Sequence, residues 1–215
     1  WRSSVRPEFQ ADWLAYVKYF GAKYKGAIRH WEWHNEIDWA DFWKSPLTDY
    51  VAMLKGAAQV LREIDPQNKM ILGALMTHGS SIGGMGATRG ALQQLYDLGA
   101  APHFDVLSLH YYTIRAEEVV YNLNESARIM LENGDCKPIW ITEVGMHTAT
   151  NAWLRFRVTP EEQAQYLEDV FRILPRHPLV EKIFWYDFRN RGTNESYNQD
   201  MFGIVKRDLS LTPAY

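Results

Sequence analysis

Short apolar segments alternate with amphipathic segments along the whole chain, and this alternation is the feature that most limits the possible fold. Apolar residues recur at helical spacing in several stretches, whereas the segments between them are brief and apolar. The predicted helical stripes are 9–20, 50–64, 119–130 and 164–174, and the predicted strands are 27–33, 70–75, 104–110, 138–142 and 182–187. The pattern is typical of a parallel sheet covered by helices, so the predicted fold class is α/β.

Periodicity alone does not distinguish between two α/β architectures. A doubly wound sheet and a (β/α)8 barrel both alternate strands with helices. No internal repeat or linker interrupts the pattern, so residues 1–215 are predicted to belong to a single domain. The choice between the two architectures therefore depends on the residues at the strand ends.

Local signals mark the ends of several elements. Asp65-Pro66 ends the second helix, because the residue before a proline disfavours the α region. Thr159 to Glu162 has the sequence of a capping box, with Pro160 at the first helical position. The glycine-rich stretch Gly79 to Gly90 lacks the Lys-Ser/Thr of a phosphate-binding loop, so we expect a loop over the substrate rim, followed by a short helix ending near Gly99.

Composition excludes several classes of partner. The formal net charge is −3 and no long block of one sign is present, so we expect neither a nucleic-acid surface nor a basic membrane patch. No apolar run reaches the length of about 18 residues that spans a bilayer, and we expect a soluble chain. A single cysteine, Cys136, excludes an internal disulfide framework. The cellular compartment is left undetermined.

Two glutamates lie just beyond the C-terminal ends of predicted strands: Glu36 in WEWHNE and Glu143 in WITEVG. In a barrel, side chains from different strands converge at the C-terminal rim, so carboxylates distant in sequence face one substrate. Hydrolysis of a glycosidic bond requires such a pair, one acid to protonate the departing oxygen and one carboxylate to attack the sugar carbon. The two glutamates thus favour the barrel and predict a glycosidase.

These motifs resemble those of clan A glycoside hydrolases, most closely family 39 and its endo-acting relatives. The resemblance implies that Asn35 contacts the sugar and Glu36 is the general acid/base after the fourth barrel strand. It implies that Glu143 is the nucleophile after the seventh strand. His110 and Tyr112, in LSLHYYT, match a His-x-Tyr pattern after the sixth strand. The tyrosine of this pattern forms a hydrogen bond to the nucleophile. Trp185, in FWYDF, matches the aromatic floor of the sugar subsite.

The resemblance implies a retaining (β/α)8-barrel hydrolase that cleaves O-glycosidic bonds, expected to be β-linked, of oligo- or polysaccharides by double displacement. It implies a carbohydrate substrate and no cofactor or metal. This chain would contain roughly strands four to eight of that barrel. Strands one to three and the last helix of the barrel would be absent. The outer strands would then have open edges, which predicts a longer polypeptide, a partner chain that covers them, or distortion of the edges.

Alternative interpretations remain for these residues. His110 and Tyr112 also suit a barrel interior as satisfied polar groups. Aromatic residues such as Trp185 also suit plain packing. A non-catalytic carbohydrate-binding remnant of such a barrel is the alternative function. A second alternative is a metal-dependent α/β hydrolase that uses His30 and His34, although their spacing is not that of a zinc motif. The sugar, the linkage and the oligomeric state are not indicated.

Overall fold

The computed structural model describes residues 9–78, 85–150 and 158–215. Part of the predicted glycine-rich loop, residues 79–84, lies outside the described residues. In chain order the elements are α1 (Gln10–Lys23), β1 (His30–Glu32), α2 (Leu47–Ile64), β2 (Lys69–Ile71), β3 (Leu75–His78), α3 (Met85–Asp97), β4 (Leu107–Tyr112), α4 (Ala116–Glu132), β5 (Ile139–Val144), α5 (Pro160–Ile173) and β6 (Val180–Trp185). The predicted alternation of strands and helices is therefore present.

The strands are parallel and pair in chain order, except that β2 and β3 belong to different sheets. β1 pairs with β2, and β3 to β6 form a sheet in that order. An isolated parallel bridge between Ile71 and Val106 joins the two sheets, so that β2 and β3 together occupy one strand position beside β4. A doubly wound sheet reverses its strand order at a switch point, whereas this sheet does not. The described residues thus form part of a (β/α)8 barrel.

Alternation along the strands separates an outer core from the inner face of the sheet. On β4, Leu107, Leu109 and Tyr111 pack in the large core that includes the buried faces of the helices. Ser108 and His110 are equally buried but point to the other face, because successive strand residues alternate. A second, small cluster consists of Ile71, Val106 and Trp140. The inner face therefore carries the polar residues of β4.

Two predicted helix ends agree with the structure. Glu162 N–H donates to the Thr159 hydroxyl at 3.2 Å, and Thr159 N–H donates to the Glu162 carboxylate at 2.7 Å. The capping box is thus complete. The helix α2 ends at Ile64, directly before Asp65-Pro66.

The predicted loop over residues 79–90 is wrong in its second half. The helix α3 already begins at Met85. Glycine disfavours helices intrinsically, but burial of Ala91, Leu92 and Leu95 along this helix outweighs that preference. The predicted strand 70–75 is also interrupted, since residues 72–74 separate β2 from β3.

The two outermost strands expose side chains that would face the inside of a closed barrel. On β6, Phe184 is 46% exposed although its ring lies 6.2 Å from the buried Trp140. On β1, His30 is exposed and its ring lies 4.8 Å from Trp140. Within the described residues, no helix has both the length and the apolar character needed to cross a membrane.

We predict that Thr159→Ala lowers the free energy of unfolding by about 1 kcal/mol, because it removes the side-chain acceptor at the start of α5. Urea unfolding followed by circular dichroism measures this change. Thr48→Ala is the matched control, since Thr48 is exposed in the first turn of α2 and does not cap it. Equal stability changes in the two variants would contradict the prediction.

Candidate active site

A tight turn after β1 places Glu36 beneath the rim of the sheet. His34 has φ 70° and Glu36 has φ 46°, both in the left-handed region that non-glycine residues rarely adopt. Each such residue costs on the order of 1 kcal/mol, so the surroundings must enforce the turn. Ile37 provides one anchor, because its side chain is buried and its N–H donates to Ala74 C=O at 3.1 Å. Glu36 itself is only 5% exposed.

A β-bulge turns Glu143 toward the same side. Leu109 pairs with Ile141, but the next residue, His110, pairs with Glu143, so that Thr142 is an extra residue on β5. Regular alternation from Trp140 would direct Thr142 to the inner face and Glu143 to the helices. The extra residue reverses this alternation, so Glu143 lies beside His110 while Val144 packs in the outer core.

His110 lies between the two carboxylates. Its Nδ1 is 2.9 Å from Glu36 Oε1 and 3.7 Å from Glu143 Oε2. One possible ligand atom from each of the three residues lies within 4.8 Å of the other two. His110 is 2% exposed, so the imidazole is held inside the sheet rather than in solvent. The structure therefore brings together Glu36 and Glu143, which 106 intervening positions separate in the sequence.

Tyr112 contacts Glu143 directly. Its hydroxyl donates a short hydrogen bond to Glu143 Oε2. Burial, followed by the negative charge of Glu143, raises the pKa of Tyr112 above its usual value. The phenol therefore stays protonated, and remains a donor, at neutral and mildly alkaline pH.

A third carboxyl group, that of Glu32, lies near the pair on the inner face of the sheet. Glu32 ends β1, and desolvation raises its pKa, with a hydrogen bond from Ser108 opposing that rise and the charge of Glu143 adding to it. One side of Glu32 remains solvent-exposed at the open edge of the sheet. The sequence motifs around Glu36 and Glu143 did not identify this residue.

The structure places Trp185 on the opposite face from the one that sequence reasoning assigned to it. Its ring lies 6.0 Å from Tyr166 of α5 and packs against the outer core. The next residue, Tyr186, points toward the site, with its ring 5.8 Å from that of Tyr112. Side-chain alternation explains the one-residue difference, because adjacent aromatic residues of a strand face opposite sides.

Tyr186 is held from two sides. Its hydroxyl donates to Gln199 Oε1 at 3.1 Å, and the Arg191 guanidinium lies 4.9 Å from its ring centroid. Gly145 permits the close approach of the two strand ends, since a Cβ at this position would lie 2.0 Å from Tyr186 C=O. Tyr186 is thus an aromatic side chain at the site that the sequence motif alone did not identify.

Trp31 and Trp33, which precede Glu36 in the motif, pack in the protein interior rather than at the site. Trp31 donates from Nε1 to Asn68 Oδ1 at 3.1 Å, and Trp33 lies with its ring 4.1 Å from that of Trp13. Both pack against the outer core. Asn35 is half-buried in the turn beside Glu36, and its contact with a sugar stays a prediction.

A family model described as glycosyl hydrolase catalytic core matches residues 35–213, a range that holds both glutamates. The chain belongs to the glycosyl hydrolase catalytic-core family. No curated protein is significantly similar to it.

Several solved glycoside hydrolases share the fold of this family member. A family 39 glycoside hydrolase from Bacteroides cellulosilyticus WH2 is 24% identical with a TM-score of 0.76, covering 99% of this chain and 44% of that one. A monomeric β-xylosidase from Caulobacter crescentus CB15 is 14% identical with a TM-score of 0.69, covering 95% and 45%. A GH10 endoxylanase from a sugarcane soil metagenome is 16% identical with a TM-score of 0.64, covering 96% and 67%. The chain thus spans less than half of the first two structures.

In this family member, the cluster of possible metal ligands coincides with the carboxylate pair. Glu36, His110 and Glu143 form the group whose ligand atoms lie within reach of one ion, among the residues that the structure describes. That group includes neither His30, whose ring contacts Trp140, nor His34, whose Nδ1 accepts from Asn35 N–H at 2.9 Å. The geometry therefore does not assemble the site that a metal-dependent hydrolase using His30 and His34 would require.

We predict that Tyr112 does not ionise where ordinary tyrosines do, at about pH 10. Its raised pKa results from burial and from the adjacent Glu143, so the phenolate forms only at higher pH. Absorbance at 295 nm measures tyrosinate formation. The amplitude reached by pH 10.5 should be the same in Tyr112→Phe and in the unmodified chain. A loss of one tyrosine's amplitude in the variant would show that the raised pKa is incorrect.

Proposed function

We propose that the protein is a retaining glycosidase that cleaves β-linked glycosides by double displacement. The observation that carries this proposal is the convergence of Glu36 and Glu143 on His110, with one oxygen of each within 4.8 Å of the other. Retaining glycosidases hold their two carboxyl groups about 5 to 5.5 Å apart, whereas inverting enzymes need about 6.5 to 9.5 Å to admit a water molecule. The shorter separation favours direct attack by a carboxylate.

In this proposal Glu36 acts as the general acid and then as the general base. It gives its proton to the glycosidic oxygen as the bond to the sugar carbon breaks, while Glu143 attacks that carbon and forms a glycosyl ester. Glu36, now a carboxylate, then removes a proton from water, and the hydroxide displaces Glu143. The second inversion restores the original configuration, and the two carboxyl groups return to their starting protonation states.

The neighbouring side chains support this division of roles. Tyr112 donates to Glu143 and so holds the attacking carboxylate in a single orientation. His110 Nδ1 lies 2.9 Å from Glu36 Oε1, closer than the 3.7 Å that separates it from Glu143 Oε2. Tyr186 offers an aromatic face at the site, and we assign it, rather than Trp185, to contact the sugar ring. Asn35 is assigned to a sugar hydroxyl.

The β configuration is proposed from the similar structures. They include a β-xylosidase, a β-glucuronidase and an endoxylanase. The proton donor and the nucleophile of this mechanism are both carboxyl groups of the chain, so the proposed reaction requires no cofactor or metal.

We predict that Glu143→Ala reduces hydrolysis of aryl β-glycosides by at least about 10⁴-fold, because no group remains to form the ester. Added azide should restore turnover and yield a glycosyl azide of inverted configuration, since the small anion occupies the space left by the carboxylate. Glu36→Ala with azide should instead yield the product of retained configuration. NMR of the two products and the initial rates provide the measurements.

Three results would contradict parts of the proposal. Unchanged activity in Glu143→Ala would remove its assigned role. Loss of activity on treatment with a chelator would favour metal-dependent hydrolysis. Binding of oligosaccharides without turnover by the unmodified protein would favour the alternative of a non-catalytic carbohydrate-binding remnant.

We also propose that additional polypeptide, either from a longer chain or from a partner chain, covers the inner faces of β1 and β6. Phe184 and His30 are the basis of this proposal, because both are exposed on the side of the sheet where the carboxylates lie. An exposed strand edge with an apolar inner face favours association with further strands. The missing strands of a barrel would supply them.

We predict that Phe184→Ala destabilises the natural, full-length protein or complex by about 3 kcal/mol, as expected for a buried phenylalanine. The matched control is Phe171→Ala on α5, because Phe171 has a similar exposure of 42% in this structure but lies on the outer helical layer. Thermal unfolding of both variants provides the comparison. Similar small effects would show that Phe184 remains in solvent.

A further inference from the structure

A side chain interrupts the hydrogen bonding between β1 and β2 at the level where the Glu36 turn begins. Trp33 N–H donates to Ile71 C=O at 3.4 Å, which continues the parallel pairing. In a regular parallel ladder, Gly73 N–H would next donate to Trp33 C=O. Instead, Gly73 N–H donates to the Tyr50 hydroxyl at 2.7 Å, and that hydroxyl donates to Trp33 C=O at 3.2 Å. The phenol oxygen is thus inserted into the ladder.

The inserted hydroxyl belongs to a rigid part of the protein. Tyr50 lies in the first turn of α2 and is 0% exposed within the outer core. Burial raises its pKa, so the hydroxyl remains a donor at physiological pH. Its oxygen therefore fixes two backbone groups relative to a packed helix rather than to a mobile side chain.

Gly73 permits this arrangement. A Cβ at Gly73 would lie 2.3 Å from Trp33 C=O and 3.0 Å from His34 C=O, so only glycine allows the turn to pass this close. Because Gly73 has no side chain, the backbone of the turn lies directly against residues 72–74, which separate β2 from β3.

A second side chain bridges the same two segments beyond the turn. Asp38 Oδ1 accepts from Met76 N–H at 2.9 Å. The residues between this bridge and the Tyr50 bridge include His34 and Glu36, the two residues with left-handed backbone. The strained turn is therefore fixed at both of its ends by side-chain contacts to the neighbouring strand.

We propose that Tyr50 is a positioning residue for Glu36: its hydroxyl separates Trp33 C=O from Gly73 N–H and thereby holds the turn that aims the Glu36 carboxyl at His110 and the glycosidic oxygen. Without the hydroxyl, the two backbone groups are left buried without this partner, and direct pairing between them becomes the favourable alternative. That pairing draws the turn toward β2 and moves Glu36. The inference rests on the proposed role of Glu36 as acid/base.

Substrates with different leaving groups separate this role from general stabilisation. A poor leaving group, such as an alkoxide, needs protonation by Glu36, whereas a dinitrophenolate departs without it. Tyr50→Phe keeps the ring in the core and removes only the hydroxyl. We expect kcat/KM to fall about tenfold for alkyl glycosides and by less than about twofold for dinitrophenyl glycosides.

Tyr96→Phe is the matched control. Tyr96 is half-buried, and its hydroxyl donates to Asp135 Oδ2 at 2.9 Å. This contact lies near the end of α3 and the start of β5, at the opposite end of the strands from Glu143. This variant should affect both substrates equally, if at all. Asp38→Ala removes the second bridge, and we expect it to show the same leaving-group dependence as Tyr50→Phe.

A crystal structure of Tyr50→Phe provides a readout independent of activity. We expect the contact of 2.9 Å between Glu36 Oε1 and His110 Nδ1 to be lost. An unchanged contact, or an equal loss of rate on both substrates, would overturn the positioning role. Glu36→Ala measured in parallel distinguishes the two proposals, because full activity on alkyl glycosides in that variant would refute the acid/base role itself, whereas the variant structure decides the role of Tyr50.

Discussion

The site depends on holding two carboxylates against the same imidazole. Two unit charges within 4.8 Å of each other repel by at least about 3 kcal/mol at an effective dielectric constant near 20. Either a shared proton or nearby donors must offset this repulsion. His110 Nδ1 shares a hydrogen bond with Glu36, and the Tyr112 hydroxyl donates to Glu143. The proposed mechanism makes use of the same conflict, since one carboxyl group must carry a proton while the other remains ionised.

Departures from regular secondary structure, rather than the regular parts, place these groups. The bulge at Thr142 reverses the alternation of β5, and the left-handed residues His34 and Glu36 fold the chain back after β1. The Tyr50 hydroxyl opens the ladder between β1 and β2. Each irregularity costs free energy locally, and the packed helices supply the rigidity that maintains it.

Regular features were the part of the structure that the sequence predicted. Apolar periodicity indicated the parallel α/β fold, and the capping box at Thr159 indicated the start of α5, because both signals depend on neighbouring residues alone. The motifs around Glu36 and Glu143 led to two residues that the structure brings together. Contacts between segments that are distant in the sequence were harder to predict. The opposite orientations of Trp185 and Tyr186 depend on strand register, which composition does not specify. The apolar periodicity of α2 predicts that Tyr50 is buried, but it does not indicate that the Tyr50 hydroxyl enters the ladder.

Among the described residues, His110 and Tyr112 of the sheet contact the carboxylate pair, and the inner face beside them is partly open to solvent. Glu32 and Phe184, on the outermost strands, expose the inner face to solvent, although electrostatic interactions in an active site gain strength when water is excluded. The sheet therefore supplies the reacting carboxyl groups and their orientation without enclosing them. Covering strands would lower the local dielectric constant as well as bury apolar surface. Additional strands paired with β1 and β6 would thus both close the barrel and strengthen the electrostatic interactions at the proposed site.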